Sequence, residues 1–208
     1  MIRNLTMPLT LADIQDLRAG DIITLSGQVV TGRDEVYHRI VRENMPSPVD
    51  LRGCCIFHAG PIVSESPQGH RLVSVGPTSS IRMEEDCAEF FRLTGVRVAV
   101  GKGGMGPKTA EGCRRYGAIH CIYPGGCAVT AASAMKEIKG VYWRELGMPE
   151  CMWVMEAEKW GPLIVSIDTL GDSLYAQNQS SYRQAKEKVL PPLLEQLRRI
   201  MGGGEKEA

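Results

Sequence analysis

One local pattern recurs three times between residues 72 and 138: an apolar run, a glycine turn, then a segment with helical periodicity. The three copies are LVSVG-PTSS-IRMEEDCAEFFRLTG, VRVAVG-KGGMG-PKTAEGCRRYG and AIHCIYPG-GCAVTAASAMKEI. Strands alternating with helices are the order of parallel α/β structure, so this repetition sets the expected fold class. In the first copy Cys87, Phe90, Phe91 and Thr94 fall at i, i+3, i+4 and i+7, which gives one apolar helix face, and Gly95 ends the helix. Glu84, Glu85 and Asp86 crowd its opening turn, where negative charge complements the helix dipole.

Around this block, Asp21 to Val30 reads as two short strands about Ser26-Gly27, and Asp34 caps a helix through Val36, Ile40 and Val41. Arg33 then stands at a strand-to-helix corner. Residues 44 to 53, with Pro46 and Pro48, form a loop. CCIF (54 to 57) is a buried strand entering the turn His58-Ala59-Gly60-Pro61, and Ser64 to His70 is a polar turn. Residues 151 to 157 and 162 to 168 read as two further strands. Ser180 or Ser181 caps a C-terminal helix broken or restarted at Pro191-Pro192. The expected division is a main domain over 1–178, a helical extension over 179–201 and a disordered tail over 202–208.

Composition removes several functions. The 24 basic residues balance 24 acidic ones, so no broad positive field exists to hold a nucleic-acid backbone or an anionic membrane. No segment has signal-peptide or membrane-span character, and a cytoplasmic location is expected. Seven cysteines (54, 55, 87, 113, 121, 127, 151) are an odd number spread through apolar runs, which suits reduced core thiols. No C-x-x-C occurs, and the spacing of Cys113, Cys121 and Cys127 does not match an iron–sulfur ligand set. The four histidines lack metal-ligand spacing; His58 is open to a structural or a pocket role.

Charge is concentrated instead at glycine turns. Arg33 lies in TGRDEV, Arg82 in VGPTSSIRME and Lys102 in VGKGGMGPKT, each after an apolar run. Backbone N–H groups at such turns, positive helix starts and the three cations together outline a pocket for a small dianion. Thr78 and Arg82, four apart, share a helix face if the helix begins near Thr78, with the N–H groups of Ser79 and Ser80 pointing the same way. A bland reading makes Thr78 a cap and Arg82 a solvated side chain; the other two cationic turns favour the pocket. Gly101 to Gly106 matches G-x-G-x-x-G, but no acidic residue follows about 20 positions on, which argues against a dinucleotide site.

Taken in order, GRD (32 to 34), FHAGPIV (57 to 63), SVGPTSSIRME (74 to 84), VGKGGMGPKTAEGC (100 to 113), PGGCAV (124 to 129), ELGMPE (145 to 150) and GPLIVSIDTLG (161 to 171) resemble one family. It is the β subunit of two-subunit class I fumarases and L(+)-tartrate dehydratases, equivalent to the C-terminal domain of single-chain class I fumarases. The resemblance implies an α/β fold of the swivelling β/β/α type with three layers. It also implies an α subunit carrying a 4Fe-4S cluster that this chain does not ligate, and an α2β2 assembly. It implies substrate binding by Arg33, Arg82 and Lys102 and a catalytic base at Thr78. Family members usually carry His four residues after the Arg of the RD motif; this chain has Tyr37 there and His38 next to it.

The implied reaction is reversible dehydration of a C4 2-hydroxydicarboxylate, L-malate to fumarate or L(+)-tartrate to oxaloacetate. An iron of the partner's cluster would act as Lewis acid, and cations on this chain would stabilise charge developing on the distal carboxylate. The alternative is a non-catalytic anion-binding or scaffold module of the same fold.

Overall fold

The computed structural model describes residues 2–67 and 69–202. The chain divides into two units, Met1–Leu174 and Tyr175–Ala208. In chain order the first holds β1 (Ile2–Thr6), α1 (Leu11–Ile14), β2 (Ile22–Thr31) and α2 (Asp34–Tyr37), which runs on as a π-helical turn, His38–Arg42. Next come β3 (Cys55–Phe57), β4 (Ala59–Ser66), β5 (Gly69–Pro77), a 3-10 turn (Ser80–Met83) and α3 (Glu84–Thr94). Then follow β6 (Val98–Gly101), α4 (Pro107–Tyr116), β7 (Ile119–Ile122), α5 (Ala128–Ala134), β8 (Met135–Tyr142) and β9 (Met152–Ile167).

Seven strands form one sheet in the order β1-β2-β3-β6-β7-β9-β8. The pairs from β1 to β7 are parallel, and β9 runs antiparallel to both β7 and β8. Strand β9 also pairs antiparallel with β2, from Ile22↔Ile164 to Val30↔Val154, which closes β2, β3, β6, β7 and β9 into a barrel-like ring. Closure leaves fewer open strand edges and requires side chains to alternate between inside and outside. They do. Phe57, Val98 and Val100 belong to one apolar cluster with Leu25, Met155 and Trp160, while Ile56 and Ala99 belong to a second with Val36, Cys87, Phe90 and Phe91.

The α/β class expected from the repeats is present, with local corrections. The stretch Asp21 to Val30 does not make two strands: β2 is continuous, and Gly27, at φ +99°, sits at a register shift opposite β9. A bulge needs the same left-handed glycine as a turn, so Ser26-Gly27 looked like a break. Likewise 151–157 and 162–168 are one strand, β9, bent where Lys159 takes φ +48°. His58 to Pro61 is not a turn, because β4 starts at Ala59 and pairs with β5 as a two-stranded hairpin outside the main sheet. The first repeat's apolar run is therefore a hairpin strand, not a parallel one. In the third repeat the helix stops at Ala134 and Met135 to Ile138 continue as β8.

The second unit is the remainder of α6 (Leu174–Gly202), which begins earlier than Ser180 and contains Pro191 and Pro192 without interruption. Residues 203–208 of the expected tail lie outside the described residues. Among the described residues no helix is long and apolar enough to cross a membrane.

Candidate active site

The ends of β3, β5 and β6 are stitched together by backbone hydrogen bonds. His58 N donates to Val100 O (2.7 Å), and Thr78 N donates to His58 O (2.6 Å). Lys102 N donates to Thr78 O (3.0 Å), and Ser80 N donates to Lys102 O (3.0 Å). Thr78 and Lys102 are thus neighbours by construction. The approach is tight enough to demand glycine before the lysine, since a Cβ on Gly101 would lie 1.9 Å from Ser80 Oγ. It also corrects one expectation: the Ser80 N–H is committed to Lys102 O and does not face a ligand. The helix starts later than Thr78, with Arg82 in the 3-10 turn before α3.

Arg82 still reaches Thr78, with Nη1 3.5 Å from Thr78 Oγ1. The rest of its guanidinium meets Asp34, through Nε to Oδ1 at 3.1 Å and an Nη2–Oδ2 ion pair at 2.5 Å. Asp34 Oδ2 has no aligned hydrogen bond despite that short approach, so that contact is an ion pair only. Arg33 occupies the N-cap position of α2, with Nη2 2.9 Å from Glu150 Oε1 and a buried Nε that has no hydrogen-bond partner. Its other amino group lies against Gly60, where a Cβ would come within 2.8 Å of both Nη1 and Pro149 O. Gly60 is next to Ala59, which pairs with Pro77, the residue before Thr78.

Lys102 is exposed, and its stem crosses Gly125 of the Pro124-Gly125-Gly126 turn. Among the described residues its ammonium has no ion pair. The two arginines are paired with Glu150 and Asp34, so with Lys102 the five groups sum to a single positive charge. A dianion would use the uncommitted Arg33 Nε, the Lys102 ammonium and the Thr78 hydroxyl, with Arg82 shared between Asp34 and the ligand.

Two supports hold this arrangement. In the first, Tyr37 Oη lies 2.8 Å from His58 Nε2, and His58 Nδ1 lies 2.9 Å from Ser80 Oγ. Tyr37 stacks on Phe90 with ring centroids 4.1 Å apart. Burial, and secondarily His120, holds the His58 imidazole well below its ordinary pKa, and burial raises the Tyr37 phenol well above its own. Both groups are neutral at physiological pH. In the second, Glu84 does not serve only its own helix. Its carboxylate accepts from Gly106 N (2.8 Å), Lys108 N (2.9 Å), Thr109 N (3.3 Å) and Thr109 Oγ1 (2.6 Å), which caps α4 and anchors the Lys102 loop. Glu85 and Asp86 pair with Lys108 and Arg42.

The sequence does not mark Asp34, Glu150, Glu84 or the Ser80 hydroxyl as parts of this cluster. Each lies inside a motif already quoted, but ion pairs between distant segments leave no spacing signal.

The Fumarase C-terminus family model matches residues 2–178. The chain is 48% identical over 200 residues to the L(+)-tartrate dehydratase subunit beta of Escherichia coli (strain K12), covering 96% of this chain and 100% of that one. It is 39% identical over 186 residues to a putative L(+)-tartrate dehydratase subunit beta of Methanocaldococcus jannaschii, covering 87% and 95%. With a putative class I fumarate hydratase of Geobacillus stearothermophilus it shares 33% over 190 residues, 91% of this chain but 36% of that longer protein. The names of these relatives describe hydro-lyases; two are named as a subunit beta, and the third is a longer protein of which the match covers 36%. With a domain match over nearly its whole main unit and full-length relatives at this identity, the chain belongs to the Fumarase C-terminus family.

Proposed function

We propose that this chain is the β subunit of a hydro-lyase that reversibly dehydrates a C4 2-hydroxydicarboxylate, in a site shared with an α subunit. The observation that carries the reading is the junction of Thr78, Arg82 and Lys102, with Arg82 ion-paired to Asp34, the chain neighbour of Arg33. Identity over the whole length of a named tartrate dehydratase β subunit favours L(+)-tartrate over L-malate as the substrate. The swivelling three-layer arrangement and the α2β2 assembly belong to the same proposal.

The chemistry follows from the charges. A carboxylate of the substrate is gripped by Lys102, Arg33 Nε and Arg82, and as the adjacent C–H proton leaves, that carboxylate gains aci-carboxylate character. Donors already fixed around it stabilise the developing charge more than the ground state. Thr78 is the assigned base. An ordinary hydroxyl is too weakly acidic to serve alone, and Arg82 at 3.5 Å is the cation that favours alkoxide character on Oγ1. One net positive charge does not neutralise a dianion, so a partner's groups complete the grip.

The 4Fe-4S cluster enters this reading as a group held by the partner. Among the described residues no three His, Cys, Asp or Glu side chains are grouped to hold a metal. The cysteine thiols are buried, apart from half-buried Cys127. The residues described here do not fit cluster ligation.

The test is anaerobic steady-state kinetics of the copurified two-subunit complex with L(+)-tartrate, its stereoisomers, L-malate and fumarate. Turnover of a C4 acid by the complex and none by this chain alone is expected. Turnover by the isolated chain, or binding of these acids by it with no turnover in the complex, contradicts the reading.

A further inference from the structure

Tyr37 lies one helical turn beyond Arg33, and its N–H donates to Arg33 O (3.1 Å). Its hydroxyl meets His58 Nε2, and His58 Nδ1 meets Ser80 Oγ. The main chain of His58 holds Thr78, and the main chain of Ser80 holds Lys102. The result is a closed loop of hydrogen bonds through His58, Thr78, Lys102 and Ser80, with Tyr37 as its tether to the Arg33 corner. His58 and Ser80 are fully buried and Tyr37 is 1% exposed, so water does not substitute for a lost member.

We infer that Tyr37, His58 and Ser80 are positioning residues, a buried strut that sets the spacing between the Arg33 corner and the Thr78–Lys102 junction. The phenol and the Ser80 hydroxyl can each donate or accept, so a neutral His58 satisfies both contacts with its proton on either ring nitrogen. None of the three side chains is needed to touch substrate. They act through Thr78 and Lys102, so their loss misplaces the base relative to the carboxylate grip without removing a binding charge.

This inference rests on the proposed function, and its experiment separates the two. In the two-subunit complex, Tyr37→Phe keeps the Phe90 stack and deletes only the hydroxyl. It is expected to lower kcat by about tenfold with KM changed by less than about twofold. His58→Asn keeps a polar group near the Nδ1 position and loses the Nε2 contact, so adding Tyr37→Phe to it should cost almost nothing further.

Wild-type kcat in Tyr37→Phe while Arg82→Ala is impaired overturns the strut and leaves the proposed function standing. Additive losses in the double variant also overturn it. A Tyr37→Phe protein with a lower melting point but unchanged kcat per folded complex makes the contact merely structural, which again overturns the strut. Unimpaired Arg82→Ala removes the proposed function itself.

Discussion

Replacing Glu84 by Ala removes one carboxylate that four donors share. Three are backbone N–H groups at the start of α4 and one is the Thr109 hydroxyl. Loss of a helix N-cap costs about 1 kcal/mol, and loss of a negative charge at a partly buried helix start costs up to about 2 kcal/mol. Thr109 is fully buried, so its hydroxyl is left without its acceptor, at roughly 1–3 kcal/mol. These contributions overlap, and about 3 kcal/mol is the expected total. For a domain of this size that corresponds to a fall in melting temperature of roughly 6–12 °C. Glu84→Gln, which keeps one acceptor oxygen, should lose about half as much. The assay is thermal unfolding by circular dichroism at pH 7. A shift for Glu84→Ala below about 2 °C, under 1 kcal/mol on the same scale, would refute the claim that this carboxylate anchors the Lys102 loop.

Other outcomes follow from the same contacts. Gly101→Ala places a methyl 1.9 Å from Ser80 Oγ and 3.0 Å from His58 Nδ1, so expression of soluble protein or its melting temperature should drop sharply. Gly125→Ala brings a methyl within 3.3 Å of Lys102 Cδ; KM for the C4 acid should rise a few-fold with little change in melting temperature. Burial lowers the His120 pKa from 6.5 to about 3. Between those values the unfolded chain binds the proton and the folded chain does not, so stability is full above pH 6.5 and falls on acidification, by about 1.4 kcal/mol per pH unit for each such group. His120→Asn, which keeps a donor towards Ser166, should flatten unfolding free energy against pH between pH 6 and pH 4; an unchanged slope argues against this origin.

Legibility in the sequence followed the range of the interaction. The helices of the first two repeats were readable because their periodicity and their C-terminal glycines are local, and Gly95 and Gly117 do take the left-handed cap conformation. The barrel closure was not, because it depends on β9 pairing with β2 across more than a hundred residues, and both strands carry bulges that look like turns. Gly69 to Pro77 has the composition of a sheet strand, and only its antiparallel partner β4 shows it to be half of a hairpin. At the site, the cation-bearing turns were visible because glycine and charge stand side by side in the chain. Their counter-charges were not, since Arg82 finds Asp34 48 residues away and Arg33 finds Glu150 with no periodic signal. The expectation of free N–H groups at Ser79 and Ser80 failed in part, because Lys102 O took the Ser80 N–H.

Steady-state kinetics of Arg82→Ala in the anaerobically prepared two-subunit complex test the cluster most directly. Charge-assisted hydrogen bonds contribute about 1.5–3 kcal/mol each, so kcat/KM for L(+)-tartrate or L-malate should fall by roughly one to two orders of magnitude while the fold is retained. Wild-type kcat/KM in that variant would contradict the assignment of this guanidinium, and with it the gathering of Arg33, Thr78, Arg82 and Lys102 around one carboxylate.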